Sequence, residues 1–278
     1  MAPLLKGQQK SIYCRAVESR VGDVTVHYVE HGEGAPVLVL HGAGVDHREV
    51  EACFEPALGA YGGLRRIYPD LPGMGRTSSP PALRSADDVL DLLLGFGDEI
   101  VGQERALLVG HSAGAYYAQG FAARRPDRVA GLALVCPVLA GVRDVPDHHA
   151  LVTGDDLGDD GFRDYFVVQT PAMLERYEQY VAPAVLLADA AAMERIGQRW
   201  ELTGPEGPAY GGPTLIVAGR QDSTVGYAAA ADLLARYPRA TLAVLDGAGH
   251  AMPHELPELL AELLRDWLAR TGQYPAPT

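Results

Sequence analysis

Ser112, Asp222 and His250 are the residues whose types and settings point to chemistry in this chain. Ser112 stands in Gly110–His111–Ser112–Ala113–Gly114, after the apolar run Leu107–Leu108–Val109 and before the small-residue stretch Ala115–Tyr116–Tyr117–Ala118. A strand, a sharp turn and a helix in that order lift one serine hydroxyl above a sheet. The turn forces unfavourable backbone angles on the serine and crowds its neighbours, so small residues flank it. The helix that follows aims its first amides at the place where negative charge would develop. A serine attacks a carbonyl only if a base takes its proton, and histidine does this near neutrality. A carboxylate then holds the imidazole in the right tautomer and stabilises the imidazolium. Asp222 ends the loop after the apolar run Pro213–Gly219, and His250 closes Asp246–Gly247–Ala248–Gly249–His250 after Thr241–Leu245. Both positions fall past the carboxyl ends of predicted strands, the edge on which open α/β sheets place their chemistry. Asp144, past an earlier strand, is the rival acid; Asp222 is preferred because its strand and loop are cleaner and the order serine, acid, histidine is kept.

An attacked carbonyl becomes a tetrahedral oxyanion that needs two backbone N–H donors. Ala113, next to the serine, is one; the loop His41–Gly42–Ala43–Gly44, after Pro36–Leu40, supplies the other through Ala43, with Gly44 as the alternative. Gly42 and Gly44 let that backbone come close. His41 comes too early in the chain order to be the base and is read as bracing the loop. Gly42–Ala43–Gly44 also resembles the start of a dinucleotide fingerprint, but the third glycine and the acidic residue closing a second strand are missing, so no nucleotide site is expected.

Alternating elements must position these residues. Ser11–Ala16 and Val24–Val29 alternate like a hairpin joined at Gly22–Asp23. Leu64–Tyr68 and Val129–Cys136 are further strands. Ser85 caps a helix whose Val89, Leu92, Leu93, Phe96 and Ile100 recur at helical spacing. Gly226–Tyr237 and Glu255–Arg270 complete the predicted helices. Such alternation implies a mostly parallel sheet covered on both faces, an α/β fold.

These motifs, with Asp70–Leu71–Pro72–Gly73–Met74–Gly75–Arg76–Thr77–Ser78 after a strand, resemble the α/β-hydrolase superfamily in its cap-bearing, lipase- and esterase-like branch. The resemblance covers nearly the whole chain. It implies a mostly parallel central sheet flanked by helices, with core segments 1–139 and 213–278 and a helical cap inserted at 140–212. It also implies that Asp70–Ser78 is a structural loop beside the site. Serine at the turn argues against the epoxide-hydrolase and haloalkane-dehalogenase branches, which place aspartate there. Within the insertion, Met173, Tyr177 and Tyr180 fall at i, i+4 and i+7, one face of a cap helix. Phe162, Tyr165, Phe166, Met193 and Trp200 add apolar surface, so a pocket roofed by Tyr165–Trp200 is expected to take a medium-sized, largely apolar substrate. Gly42, Gly44, His111, Tyr165, Met173 and Tyr177 are its expected binding residues.

The resulting expectation is a cofactor-independent serine hydrolase working through an acyl-enzyme on an ester, lactone, thioester or activated C–C bond. A proline-iminopeptidase-like aminopeptidase is weakened because the cap shows no acidic cluster to capture an ammonium group. A lyase or cyclase using the same site, and a non-catalytic ligand receptor on the same fold, are the remaining alternatives. The acidic run Thr153–Gly161 fails as a calcium loop: counted from Asp156, glycine falls at position three and Val167 at position twelve, where carboxylates are required. Asp147–His148–His149 lacks a partner cluster for zinc, so no metal is expected. The 36 acidic residues against 23 basic ones leave a net charge of −13, which repels nucleic acid and anionic lipid. Three cysteines without a C-x-x-C pair fit reduced thiols in a cytoplasmic protein, and the N-terminus shows no long apolar run.

Overall fold

Eight strands form one sheet in the order β1-β2-β4-β3-β5-β6-β7-β8. The computed structural model describes residues 14–141, 145–153, 157–203 and 210–272; Asp144, part of the acidic run and the Gly204–Pro208 stretch lie outside the described residues. β1 (Cys14–Val21) pairs antiparallel with β2 (Val24–His31), and β2 pairs antiparallel with β4 (Leu64–Pro69). From β4 onward all pairings are parallel, through β3 (Ala35–Leu40), β5 (Ala106–His111), β6 (Val129–Val135), β7 (Thr214–Gly219) and β8 (Ala240–Leu245).

β5, β6 and β7 are buried at every position because both faces of the sheet are covered. Val37, Val39, Leu107, Val109, Leu215 and Val217 pack toward α1 (His47–Leu58) and α10 (Pro257–Arg270) through Phe54, Leu58, Leu264 and Trp267. The alternate residues Leu38, Leu40, Leu108, Leu132, Leu134 and Ile216 meet α2 (Ala86–Val101) and α3 (Ala113–Arg124) through Leu90, Phe96, Ala115 and Phe121. The period of two along each strand thus divides the core into two layers. α2 begins where expected: the Ser85 side chain accepts from the Asp88 amide, one of the donors a helix start leaves unpaired. Among the described residues no helix is long and apolar enough to cross a membrane.

Two expected helices are shorter than their sequence pattern suggests. Gly226–Tyr237 becomes a 3₁₀ turn over Ala228–Asp232 followed by α8 (Leu233–Arg236). Glu255–Arg270 splits into α9 (Met252–Glu255) and α10, because Leu256 precedes Pro257 and is driven out of the helical region to φ −129°.

Between β6 and β7 lie α4 (Asp160–Tyr165), α5 (Pro171–Arg176), α6 (Ala182–Val185) and α7 (Ala190–Gly197). Phe162, Phe166, Tyr177 and Val181 from this segment pack with Val45 and Ala251. Met173, Tyr177 and Tyr180 do not share one helical face. α5 passes into a π turn over Tyr177–Val181, with the Ala182 amide reaching back to the Tyr177 carbonyl. Pro183 follows at once; it has no N–H for the carbonyl four residues earlier, and its ring crowds that carbonyl, which favours the wider turn here. Tyr177 accordingly turns into the Phe162–Phe166 cluster, whereas Tyr180 lies under the Arg176 guanidinium and lines a separate surface cleft with Arg48 and Glu51.

Candidate active site

The turn between β5 and α3 holds Ser112 at φ 53°, ψ −119°, a left-handed conformation that a side chain adopts only when its surroundings impose it. The surroundings are the flanking glycines. A Cβ on Gly110 would collide with the Gly114 backbone, and one on Gly114 with the Leu40 carbonyl. The serine backbone is tied to β6 by its amide, which donates to the Val135 carbonyl at 3.0 Å.

Ser112, His250 and Asp222 form one hydrogen-bonded line. The Ser112 hydroxyl lies 3.0 Å from His250 Nε2, and His250 Nδ1 lies 2.9 Å from Asp222 Oδ2. The other carboxylate oxygen accepts from the Thr224 and Val225 amides, both at 2.9 Å. Burial alone would raise the Asp222 carboxyl above its ordinary range, but His250 and these two amides hold it below. An ionised Asp222 therefore accepts a hydrogen bond from Nδ1–H and leaves the Nε2 lone pair facing the hydroxyl. The loops carrying acid and base are clasped by Gln221, whose side-chain oxygen accepts from the Gly247 and Ala248 amides at 3.1 Å. Glu255 fixes the other side: one oxygen accepts from the Gly249 amide at 2.8 Å, the other from Val167 and Val168 between β6 and β7.

The loop over the serine is braced by His41. Its Nδ1 donates to the Gly42 carbonyl at 2.7 Å and its Nε2 accepts from the Leu71 amide at 2.8 Å. Burial lowers its proton affinity, in keeping with a neutral ring that both donates and accepts. The Gly44 amide, one of the two candidates for the second donor, is turned to Met74 Sδ at 3.3 Å. The amides of Ala43 and Ala113 have no hydrogen-bond partner among the described residues. Asp70 organises the neighbouring loop, accepting from His27, from the ring and amide of His47, and from the Arg76 amide at 2.7 to 3.0 Å.

Two cavities meet at Ala43. One, about 330 Å³, is lined by Gly42, Gly44, His111, Ser112, Tyr165, Tyr177 and His250 with apolar neighbours that include Val181 and Val185. The other, about 230 Å³, is lined by apolar residues that include Ala113, Leu71, Met74, Met193 and Ile196, with Tyr116, Tyr117 and Trp200. Among the described residues, no lysine or arginine lines either one. Met173 lines neither cavity; one helical turn before Tyr177, it packs against the Phe162–Tyr177 cluster.

Glu49, His254, Arg176 and Glu255 are absent from the expectations drawn from sequence. Glu49 and His254 are fully buried beneath the site, around His111. An acidic residue in the first turn of a helix ordinarily reads as a solvated capping charge, and nothing local marks Glu49 otherwise. Among the described residues, three groups bring ligand-type atoms within 4.8 Å: His111, Cys136 and His250; His27, His47 and Asp70; and Glu49, Cys53 and His254. His250 is engaged by Ser112 and Asp222, and Asp70 is saturated by its four donors. The third group already faces a cation, since Arg176 donates to His254 Nδ1 at 3.1 Å. Asp147, His148 and His149 belong to none of the three groups.

A model of the Alpha/beta hydrolase family matches residues 37–263 of the chain. A 2-hydroxy-6-oxononadienedioate/2-hydroxy-6-oxononatrienedioate hydrolase of Pseudomonas putida is 30% identical over 276 residues, covering 88% of this chain and 92% of the relative. Among solved structures, an alpha/beta superfamily hydrolase from Oenococcus oeni superposes with a TM-score of 0.83 at 27% identity, over 89% of this chain and 97% of the other. A thermophilic esterase from Thermogutta terrifontis gives 0.65 at 25% identity, over 92% and 99%.

Proposed function

Because the chain belongs to the alpha/beta hydrolase family, we propose that it is a serine hydrolase acting through an acyl-enzyme at Ser112 on a medium-sized, neutral, largely apolar ester or related acyl compound. The observation that carries this reading is the line from Ser112 Oγ through the His250 ring to Asp222, at 3.0 and 2.9 Å. His250 Nε2 takes the hydroxyl proton as Oγ bonds to the carbonyl carbon. The oxygen that gains charge is received by the amides of Ala43 and Ala113 at the start of α3. His250 then passes its proton to the leaving group, and water repeats the sequence on the acyl-serine. None of these steps calls for a cofactor.

The cavities support the substrate class. The relative from Pseudomonas putida is named for a dioate, a substrate with two carboxylates. Two carboxylates entering the cavities of this chain would meet no lysine or arginine side chain among the described lining residues, and an unpaired buried charge is strongly unfavourable. Residues 140–212 are assigned as a cap, since Tyr165, Tyr177, Val181 and Val185 wall the cavity over Ser112 while Met193, Ile196 and Trp200 wall the second.

A series of p-nitrophenyl esters tests this. Each buried methylene contributes about 0.8 kcal/mol, so kcat/KM is expected to rise about fourfold per added methylene until the 230 Å³ cavity is filled. Met193→Trp is expected to flatten that rise while leaving the acetate ester nearly unchanged. A flat series in the parent enzyme, or preference for a dicarboxylate, contradicts the assignment.

A further inference from the structure

Beneath the triad lies a group of ionisable side chains that the acyl transfer does not use. His111 ends β5 and is 1% exposed. Its Nε2 lies 3.0 Å from the backbone carbonyl of His250, and a carbonyl only accepts, so Nε2 carries a proton. Its Nδ1 lies 3.3 Å from Oε1 of the fully buried Glu49 and, among the described residues, makes no hydrogen bond elsewhere. The same Oε1 is approached by the Tyr165 hydroxyl at 3.4 Å and by His254 Nε2 at 3.6 Å. Arg176 donates to His254 Nδ1, which leaves the His254 proton on Nε2. The Tyr165 hydroxyl and His254 Nε2 thus each carry a hydrogen beside Oε1, and a bare Nδ1 lone pair on His111 would face the carboxylate unfavourably.

We propose that His111 is a buried imidazolium, paired with the Glu49 carboxylate, that positions His250 for Ser112. The inference rests on the serine-hydrolase reading of Ser112 and His250. The groups facing His111 are Glu49 from α1, Cys136 from the end of β6, Asp222 from the loop after β7 and His250 from the loop after β8, with Arg176 and His254 beyond Glu49. Burial disfavours charge on His111, but Glu49 outweighs it and raises its proton affinity; burial likewise pushes the Glu49 carboxyl up, and His111 with His254 holds it well below its usual range. Burial pushes the Cys136 thiol up, so it stays neutral.

The Nε2–H bond fixes the backbone from which the His250 ring projects toward Ser112. The two rings are also 5.0 Å apart, with Glu49 on the other nitrogen of His111, so the positive end of the pair is turned to His250. Glu49→Gln removes the carboxylate, and His111 loses its second proton.

Nitrogen-15 NMR of the histidine-labelled protein tests the charge directly, with His111→Gln assigning the signal. Both His111 nitrogens are expected to be protonated at pH 8 in the parent protein, and one only in Glu49→Gln. With p-nitrophenyl acetate, Glu49→Gln is expected to lower kcat about tenfold with little change in KM. A neutral His111 ring in the parent protein overturns the proposal, as does a folded Glu49→Gln variant whose kcat matches the parent's. Should that variant not fold, the parent spectrum still decides. Labelling of the parent protein by a fluorophosphonate reports separately on the hydrolase reading: with no adduct at Ser112 that reading fails, whatever the spectrum of His111 shows.

Discussion

Ser112→Ala is expected to lower turnover of p-nitrophenyl esters by about 10⁴- to 10⁶-fold with the fold intact. The size of the loss comes from removing the atom that bonds to the acyl carbon, so neither the base nor the oxyanion donors have a reaction left to assist. The fold is expected to survive because the hydroxyl makes one side-chain hydrogen bond, to His250, while the serine amide keeps its bond to Val135. Alanine must still accept φ 53°, which the parent serine already bears, so the strain is common to both chains. Circular dichroism and thermal melting check the fold, and initial rates with saturating ester check turnover. An alanine variant within tenfold of the parent rate would mean that Ser112 is not the nucleophile.

Asp222→Asn has the second largest expected effect, a fall in kcat of about 10⁴. The direction follows from the partners of the carboxylate. Oδ1 accepts from the amides of Thr224 and Val225, so the asparagine oxygen stays with those two donors and its NH₂ turns to His250. An NH₂ facing Nδ1 makes that nitrogen an acceptor and moves the ring proton to Nε2, where it points at the Ser112 hydroxyl. The base is then protonated on the side that must be free. Ester binding is expected to change little, because Asp222 lines neither cavity. A variant with kcat near the parent value would show that another carboxylate, Asp144 being the alternative read from sequence, orients His250.

What the sequence makes legible here is what is punctuated locally. Ser112, Asp222 and His250 each end an apolar run that stops at glycine or polar residues, so each can be assigned to a strand end without knowing its partner. The eight-stranded α/β sheet follows from the same alternation. The choice between Ala43 and Gly44 is not legible, because it turns on a sulfur acceptor supplied thirty residues away by Met74. Tyr180 is misplaced by helical spacing for a physical reason: Pro183, a few residues downstream, favours a π turn that rotates it away from the face of Met173 and Tyr177. Glu49 is invisible for a third reason. Its partners His111 and His254 are distant in the chain, and only the packing of α1 against the end of β5 and α9 turns an ordinary first-turn acid into a buried counter-ion.

The central claim is that Ser112 is an activated nucleophile. Incubating the protein with a fluorophosphonate, weighing the intact chain and mapping the modified peptide measures this most directly, since the reagent bonds covalently to a serine whose proton is being withdrawn. One adduct per chain on Ser112 is expected, absent in Ser112→Ala and formed much more slowly in Asp222→Asn. An unmodified chain that nevertheless hydrolyses esters, or an adduct on any other residue, would contradict the account.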